Sequence, residues 1–188
     1  MVKSKTKEAL ILAGMEEINE HGLNNFSVRR IASVCGFSCA TPYKHFRNKD
    51  DFIFSILRYI NNLWYEIQKE ILIKYPGDTK KRIVEISVAY VRFLVDNPNI
   101  RAIIMQSDES LNAEQIRERA NISECTKELL DVYCSSVNMS DADRYRKTFI
   151  VRSLIYGAAL MIGNGQLERS DATYNMVKQT IEREFEIS

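Results

Sequence analysis

The sequence predicts an all-α chain. Only seven Gly and three Pro occur in 188 residues, too few for the tight turn every ~8–12 residues that a sandwich or barrel needs. Apolar residues recur instead at three- and four-residue intervals, and no strand-like segment competes with them. With 45% hydrophobic and 27% charged side chains, the composition is that of one folded domain, or of one compact domain with a small module, rather than of a disordered chain.

The elements follow in order. Ile11, Met15 and Ile18, flanked by Leu10 and Ala13, share a face opposite Glu16, Glu17 and Glu20, which predicts a helix over residues 5–20 closed by Gly22. Ser27 can cap a helix that begins at Val28, with Phe26 stapled onto Ile31; Val28, Ile31, Ala32 and Cys35 carry its stripe to Gly36. Phe37-Ser38 repeats that start signal, so a third short helix is expected from about Cys39 to Phe46 with Ser38 as its cap. Two short helices across a glycine turn make a helix-turn-helix.

Asn48 can cap a long fourth helix with Lys49, Asp50 and Asp51 in its first turn. Phe52, Ile56, Ile60, Leu63, Ile67 and Ile71 sustain it until Tyr75-Pro76-Gly77 ends it near Lys74. Beyond it, helices are expected at about 79–96, 98–106, 112–136, 141–163 and 171–186, with breaks at Asn97-Pro98, Ser107 to Ser110, Asn138 to Ser140 and Gly163 to Ser170. Leu154-Ile155 and Ala158 to Ile162 are apolar around most of the helix, which implies burial on several sides. The expected division is a helix-turn-helix domain at 1–48 and a helical domain at 49–188.

Several function classes fall away. The basic start at Met1 to Lys5 is followed too soon by Glu16, Glu17 and Glu20 to be an export signal, and the apolar stretch Leu154 to Gly163 is far short of the ~20 residues that span a bilayer. A cytoplasmic protein with no membrane partner is expected. Cys35, Cys39, Cys125 and Cys134 lack paired C-x-x-C spacing, so reduced, mostly buried thiols are expected and no metal. No H-E-x-x-H, glycine-rich phosphate loop or local nucleophile arrangement is present, so neither catalytic residues nor a cofactor are expected.

Lys+Arg 26 against Asp+Glu 25 gives a formal net charge of +1, which alone offers no reason to bind nucleic acid. The distribution reverses that inference. Between Phe26 and Lys49 stand Arg29, Arg30, Lys44, Arg47 and Lys49 and no acid; residues 1–60 carry a net +3 and residues 61–188 a net −2. Cations gathered on a helix-turn-helix suit a phosphate backbone, and Ser38, Thr41, Tyr43, Lys44 and His45 of the third helix are then the candidates to reach a major groove.

The run Ile31-Ala32, then Gly36-Phe37-Ser38-Cys39-Ala40-Thr41-Pro42-Tyr43-Lys44-His45-Phe46-Arg47-Asn48-Lys49-Asp50, resembles the signature of the TetR/AcrR family of bacterial transcriptional regulators over about residues 5–56. The resemblance implies a homodimer that binds a palindromic operator in double-stranded DNA and releases it when a small-molecule effector enters the C-terminal domain. By position it implies phosphate contacts from Tyr43 and Lys49, groove-facing Thr41 and Lys44, and Ser27, Arg29 and Arg30 against the flanking backbone. Leu154 to Gly157 with Asn164-Gly165 faintly resemble the dimerisation helix of some members. Pro42 departs from the family, where Leu is common; at the fourth helical position after Ser38 it deletes a hydrogen bond and makes the recognition helix tilted or irregular.

Plainer roles compete with these. Phe37, Ala40 and Phe46 are expected in the core of the small domain, His45 is as readily a packed histidine as a phosphate donor, and Arg47 is expected to be a solvated charge. Trp64, Tyr90, Phe93, Met105, Tyr133 and Tyr156 are candidates to line an effector cavity, or else core. Arg152, on so apolar a helix, needs an acid, a carbonyl or an anionic ligand. A helical module docking an acidic protein, or a regulator without an effector, is the alternative function.

Overall fold

The computed structural model describes residues 2–105, 109 and 111–186, and among these the structure is helical without strands. In chain order it comprises α1 (Val2–His21), α2 (Val28–Val34), a 3-10 turn (Pro42–Lys44), α3 (Lys49–Lys74), α4 (Thr79–Asp96), α5 (Pro98–Ile104), α6 (Ala113–Ala120), a second 3-10 turn (Asn121–Ser123), α7 (Glu124–Ser136), α8 (Asp141–Gly163) and α9 (Asp171–Glu184). The break expected at Ser107 to Ser110 lies outside the described residues, Glu109 apart.

Local signals set most helix ends. Ser27, Asp78, Ser140 and Ser170 each accept a backbone N–H of the following first turn, and Asn48 Oδ1 accepts Asp51 N at 2.9 Å. Gly22 stands at φ +73°, where a glycine costs nothing, and its N–H reaches Ile18 O at 2.8 Å. The continuous helix expected at 112–136 is instead interrupted by the turn at Asn121–Ser123. There Asn61 Nδ2 donates to Glu118 O at 2.7 Å, and the chain leaves one compact unit for the other.

The two units divide the chain differently from the expected boundary at residue 48. The first holds Met1–Leu63 with Asn99–Ile122; the second holds Trp64–Pro98 with Ser123–Ser188, so α3 runs through both. In the first, Leu10, Ile18, Ile31, Phe52, Ile56, Ile60, Ile100 and Ile103 form the core. Residues 99–122 are tied to the first two long helices by polar contacts. Asn99 Nδ2 donates to Glu16, Gln115 Nε2 to Asp50 O at 3.0 Å, and Asn61 to Glu118. Gln115 also completes a capping box with Asn112 at the start of α6.

In the second unit α4 is central and packs against α7, α8 and α9, burying Ile83, Val84, Ile86, Val91, Leu94, Ile155, Ala159, Val177 and Ile181. Arg82 on α4 closes the end of α3 by donating to Leu72 O (2.9 Å) and Tyr75 O (2.7 Å). The stripe expected along α3 shifts here. Phe52, Ile56 and Ile60 are buried, but the buried face continues through Trp64 and Gln68, at strict four-residue steps, and leaves Leu63 exposed and Ile67 and Ile71 half-buried. Of the apolar surface of α8, Val151, Ile155, Ala158, Ala159 and Ile162 are buried within the single chain, whereas Phe149, Leu160 and Met161 are exposed on it.

Phe52→Ala should lower stability by about 3–5 kcal/mol in denaturant unfolding, as expected for truncating a fully buried aromatic. A second outcome concerns pH. Burial pushes the Glu85 carboxyl up, but Lys178 Nζ at 2.6 Å and Lys81 Nζ at 3.5 Å outweigh it and hold the group below its usual range. A folded-state value below the unfolded one gives stabilisation that is present above the ordinary carboxylate range and lost as pH falls through the folded value. Melting temperatures across that acidic window should therefore fall less steeply for Glu85→Gln than for the parent chain.

Candidate nucleic-acid interface

The interface is built on how α1 holds α2. Leu10, Gly14, Glu17 and Ile18 recur at the spacing of one helix face and are all buried. Glu17, expected on the solvent side, is therefore a carboxylate only 6% exposed. It accepts Ser27 N at 2.9 Å and Arg30 Nε at 3.0 and 3.2 Å, with Arg30 Nη2 closing the pair. Arg30 Nη2 also donates to Asn25 O, and Ser27 Oγ accepts Arg30 N at 3.3 Å. A buried charge needs such partners. Arg30 and Ser27 thus fasten the start of α2 to α1; Arg29 and Arg30 are both exposed, and it is Arg30 that pairs with Glu17.

Gly36, at φ +69°, ends α2 with Phe37 N on Ala32 O at 2.8 Å. The α-helix expected from Cys39 to Phe46 is not formed; a single 3-10 turn over Pro42–Lys44 takes its place. The reason is Pro42. An α-helix begun at Cys39 would bond the residue-42 N–H to Ser38 O, and proline has no N–H. Thr41 N takes Ser38 O at 2.9 Å instead, Pro42 becomes the first residue of the turn, and its carbonyl accepts His45 N and Phe46 N, both at 2.9 Å. Ser38 caps no helix; its hydroxyl meets Thr41 Oγ1 at 3.0 Å.

This turn presents Tyr43, 60% exposed, and Lys44 to solvent, with Ser38, Cys39 and Ala40 exposed before it and Thr41 and His45 half-buried. Ala40, expected in the core, is thus outside it. Phe37 is half-buried and Phe46 buried. An open groove of ≈ 400 Å³ is lined by Arg29, Cys39 and Tyr43, so α2 and the turn bring a cation, a phenol and a thiol to one surface. Lys49 is exposed at the start of α3, its Nζ 6.0 Å over the Phe26 ring, and Lys7 Nζ lies 5.6 Å over Phe46. Sequence reasoning missed Glu17, Cys39 and Lys7. Glu17 was legible from its place in the 10, 14, 17, 18 spacing.

The residues named for an effector site separate. Trp64, Tyr90, Phe93 and Tyr156 meet in the second unit, with ring centroids at 4.9 Å (Trp64–Tyr90), 5.3 Å (Trp64–Phe93) and 6.5 Å (Tyr90–Tyr156). Arg152 is exposed rather than forced onto a buried acid, its guanidinium 5.8 Å over the Tyr156 ring. Tyr133 is committed elsewhere: its hydroxyl donates to Phe185 O at 2.7 Å and its ring stands edge-on to Phe185. Met105 belongs to the first unit. The cysteines are free thiols, Cys134 buried, Cys35 and Cys125 half-buried and Cys39 exposed. No described helix is long and apolar enough to cross a membrane.

Truncating neighbouring arginines should separate their roles. Arg30→Ala should lower the melting temperature by stranding the Glu17 carboxylate, and Arg29→Ala should leave it unchanged; equal thermal shifts would contradict this division.

Comparison with known proteins bears on the same residues. A profile described as "Bacterial regulatory proteins, tetR family" matches residues 7–56. An HTH-type transcriptional regulator of Staphylococcus aureus (strain bovine RF122 / ET3-1) is 28% identical over 130 residues, 69% of this chain and 65% of that protein. A counterpart from strain USA300 is 27% identical over the same lengths. The chain thus spans just under two thirds of these relatives. Among solved structures, a TetR family transcription regulator from Marinobacter aquaeolei VT8 superposes with a TM-score of 0.78 at 16% identity, covering 96% of this chain and 95% of that one. The transcriptional regulator FadR of Bacillus subtilis, in complex with stearoyl-CoA, gives 0.67 at 20% identity, covering 93% and 96%. Residues 7–56 are thus similar to the tetR family of bacterial regulatory proteins, and the chain as a whole shares its fold with solved regulators of that type.

Proposed function

We propose that the chain is a homodimeric, cytoplasmic repressor that binds a palindromic operator and releases it on binding a small molecule. The observation that carries the DNA half is the exposed basic surface: Arg29, Lys44, Arg47 and Lys49 are solvent-facing around the turn that presents Tyr43. In this reading Lys49, Arg29 and Tyr43 bind phosphates and fix the register. Ser38, Thr41, Lys44 and His45 face the groove, and Ser27 and Arg30 act through the position of α2. Two such readers about one helical turn of duplex apart (~34–36 Å) match a palindrome.

Support for the dimer comes from α8 and α9, where Phe149, Leu160, Met161 and Met176 are exposed on a single chain, apolar area that a second copy would remove from water. The effector half is supported by the aromatic cluster of Trp64, Tyr90, Phe93 and Tyr156, and by the ligand held by a fold relative, FadR.

A salt-titrated gel shift tests the DNA reading. The protein should prefer a palindromic fragment from upstream of its own coding sequence over random duplex; equal affinity at moderate salt would overturn the assignment. Lys49→Ala should weaken binding to every sequence and reduce the salt slope by about 0.9. Lys44→Ala should change which bases are preferred.

A further inference from the structure

Among the described residues, two buried side-chain polar atoms have no hydrogen-bond partner: Gln68 Nε2 and Tyr90 Oη. Cores avoid this, since an unmet buried donor forfeits its hydration for nothing. The same stretch of α4 can satisfy its polar groups: Ser87, equally buried, donates to Ile83 O at 2.7 Å. Both residues adjoin Trp64. Gln68, 5% exposed, follows Trp64 by one turn of α3, and the Trp64 ring packs on Tyr90 at 4.9 Å.

We propose that Gln68 and Tyr90 are the polar anchor of the effector site, and that the site takes a planar aromatic carboxylate. The proposal rests on the ligand-responsive reading above and adds the chemistry of the ligand. The amide N–H and the phenol are donors, so they ask for an acceptor oxygen. Burial pushes the Tyr90 phenol up, and the neighbouring Tyr156 hydroxyl pushes it further against the opposing pull of Arg152, so the O–H is retained throughout the physiological range. Arg152, over the Tyr156 ring, adds positive potential that favours an anion and disfavours a cation. Trp64, Phe93 and Tyr156 supply faces and edges for a flat apolar body.

Trp64 is the only tryptophan in the chain, so its emission reports on this cluster independently of DNA. The full-length protein is titrated with 3-phenylpropanoate and, in parallel, with 3-phenylpropylamine, a probe of similar size and opposite charge. The acid should change the emission saturably and raise the melting temperature; the amine should do neither. Gln68→Leu and Tyr90→Phe should each weaken the acid by about tenfold, yet melt no lower than the parent, because each removes an unmet buried polar atom. Equal responses to acid and amine, no saturable response to the acid, or unchanged affinity in both variants would overturn the proposal. So would lower melting with unchanged affinity, the pattern expected if the two atoms merely hold water. If the acid binds but does not release operator DNA, the anchor stands and the ligand-responsive reading fails. If other compounds release DNA while the acid does not bind, the reading stands and the anchor is wrong.

Discussion

Phe52, on the first turn of α3, is where the pieces of the N-terminal unit converge. Its ring is fully buried, stacks on Phe46 at 3.9 Å with planes 7° apart, and takes Phe26 edge-on at 5.3 Å. Phe26 immediately precedes the cap of α2, and Phe46 ends the exposed turn. Gly14 completes the arrangement from α1: a Cβ there would stand 3.2 Å from Phe52 and 2.8 Å from Ile56, so the close approach of α1 and α3 requires a residue without one. Three otherwise separate segments are thereby referenced to one ring. Aromatic pairs of this kind contribute roughly 0.5–1.5 kcal/mol each beyond their burial. Their larger effect here is geometric, because any movement of the start of α3 is transmitted to both ends of the motif.

The electrostatics of the unit divide along the same lines. The unbroken run of positive charge from Phe26 to Lys49 is not functionally uniform in three dimensions. Arg30 is paired with Glu17, and the hydrogen bonds it donates to that carboxylate push its guanidinium further up from an already high value. Asp51, just beyond the run, accepts Arg47 N at 2.8 Å and so caps the approach to α3 rather than neutralising a side chain. Arg30 is half-exposed but paired, so the cations left without that acid are Arg29, Lys44, Arg47 and Lys49, a smaller field than the sequence count.

Features set by neighbours in the chain were legible before the structure. Ser27, Asn48 and Gly22 define helix ends through contacts within four residues, and the capping and breaking rules are rules about such contacts. Features set by distant partners were not. That Glu17 is buried depends on Arg30 thirteen residues away, and the choice of Trp64 and Gln68 over Leu63 and Ile67 on α3 depends on what α4 offers opposite them. Pro42 lies between these cases: the missing N–H was readable, but the replacement of the whole recognition helix by one turn was not, since that required Ser38 O to find Thr41. The aromatic cluster was half legible. Trp64, Tyr90, Phe93 and Tyr156 were named from composition alone, while Gln68 carries no signal until its burial is known.

If the chain binds DNA as proposed, the shortness of the Pro42–Lys44 turn would limit how much sequence is read by contact. Three residues at the 3-10 rise of ~2.0 Å each cover about 6 Å along the axis, less than two base-pair steps of ~3.4 Å. On the proposed DNA-binding reading, the turn itself would offer a groove less than an ordinary helix does, with Ser38, Thr41 and His45 reaching it from the irregular chain on either side. Discrimination among operators would then fall largely to properties of the duplex itself, such as groove width, the ease of bending at flexible steps and the separation of half-sites. A regulator of this build would tolerate base changes under its tip more readily than an inserted base pair between the halves of its site.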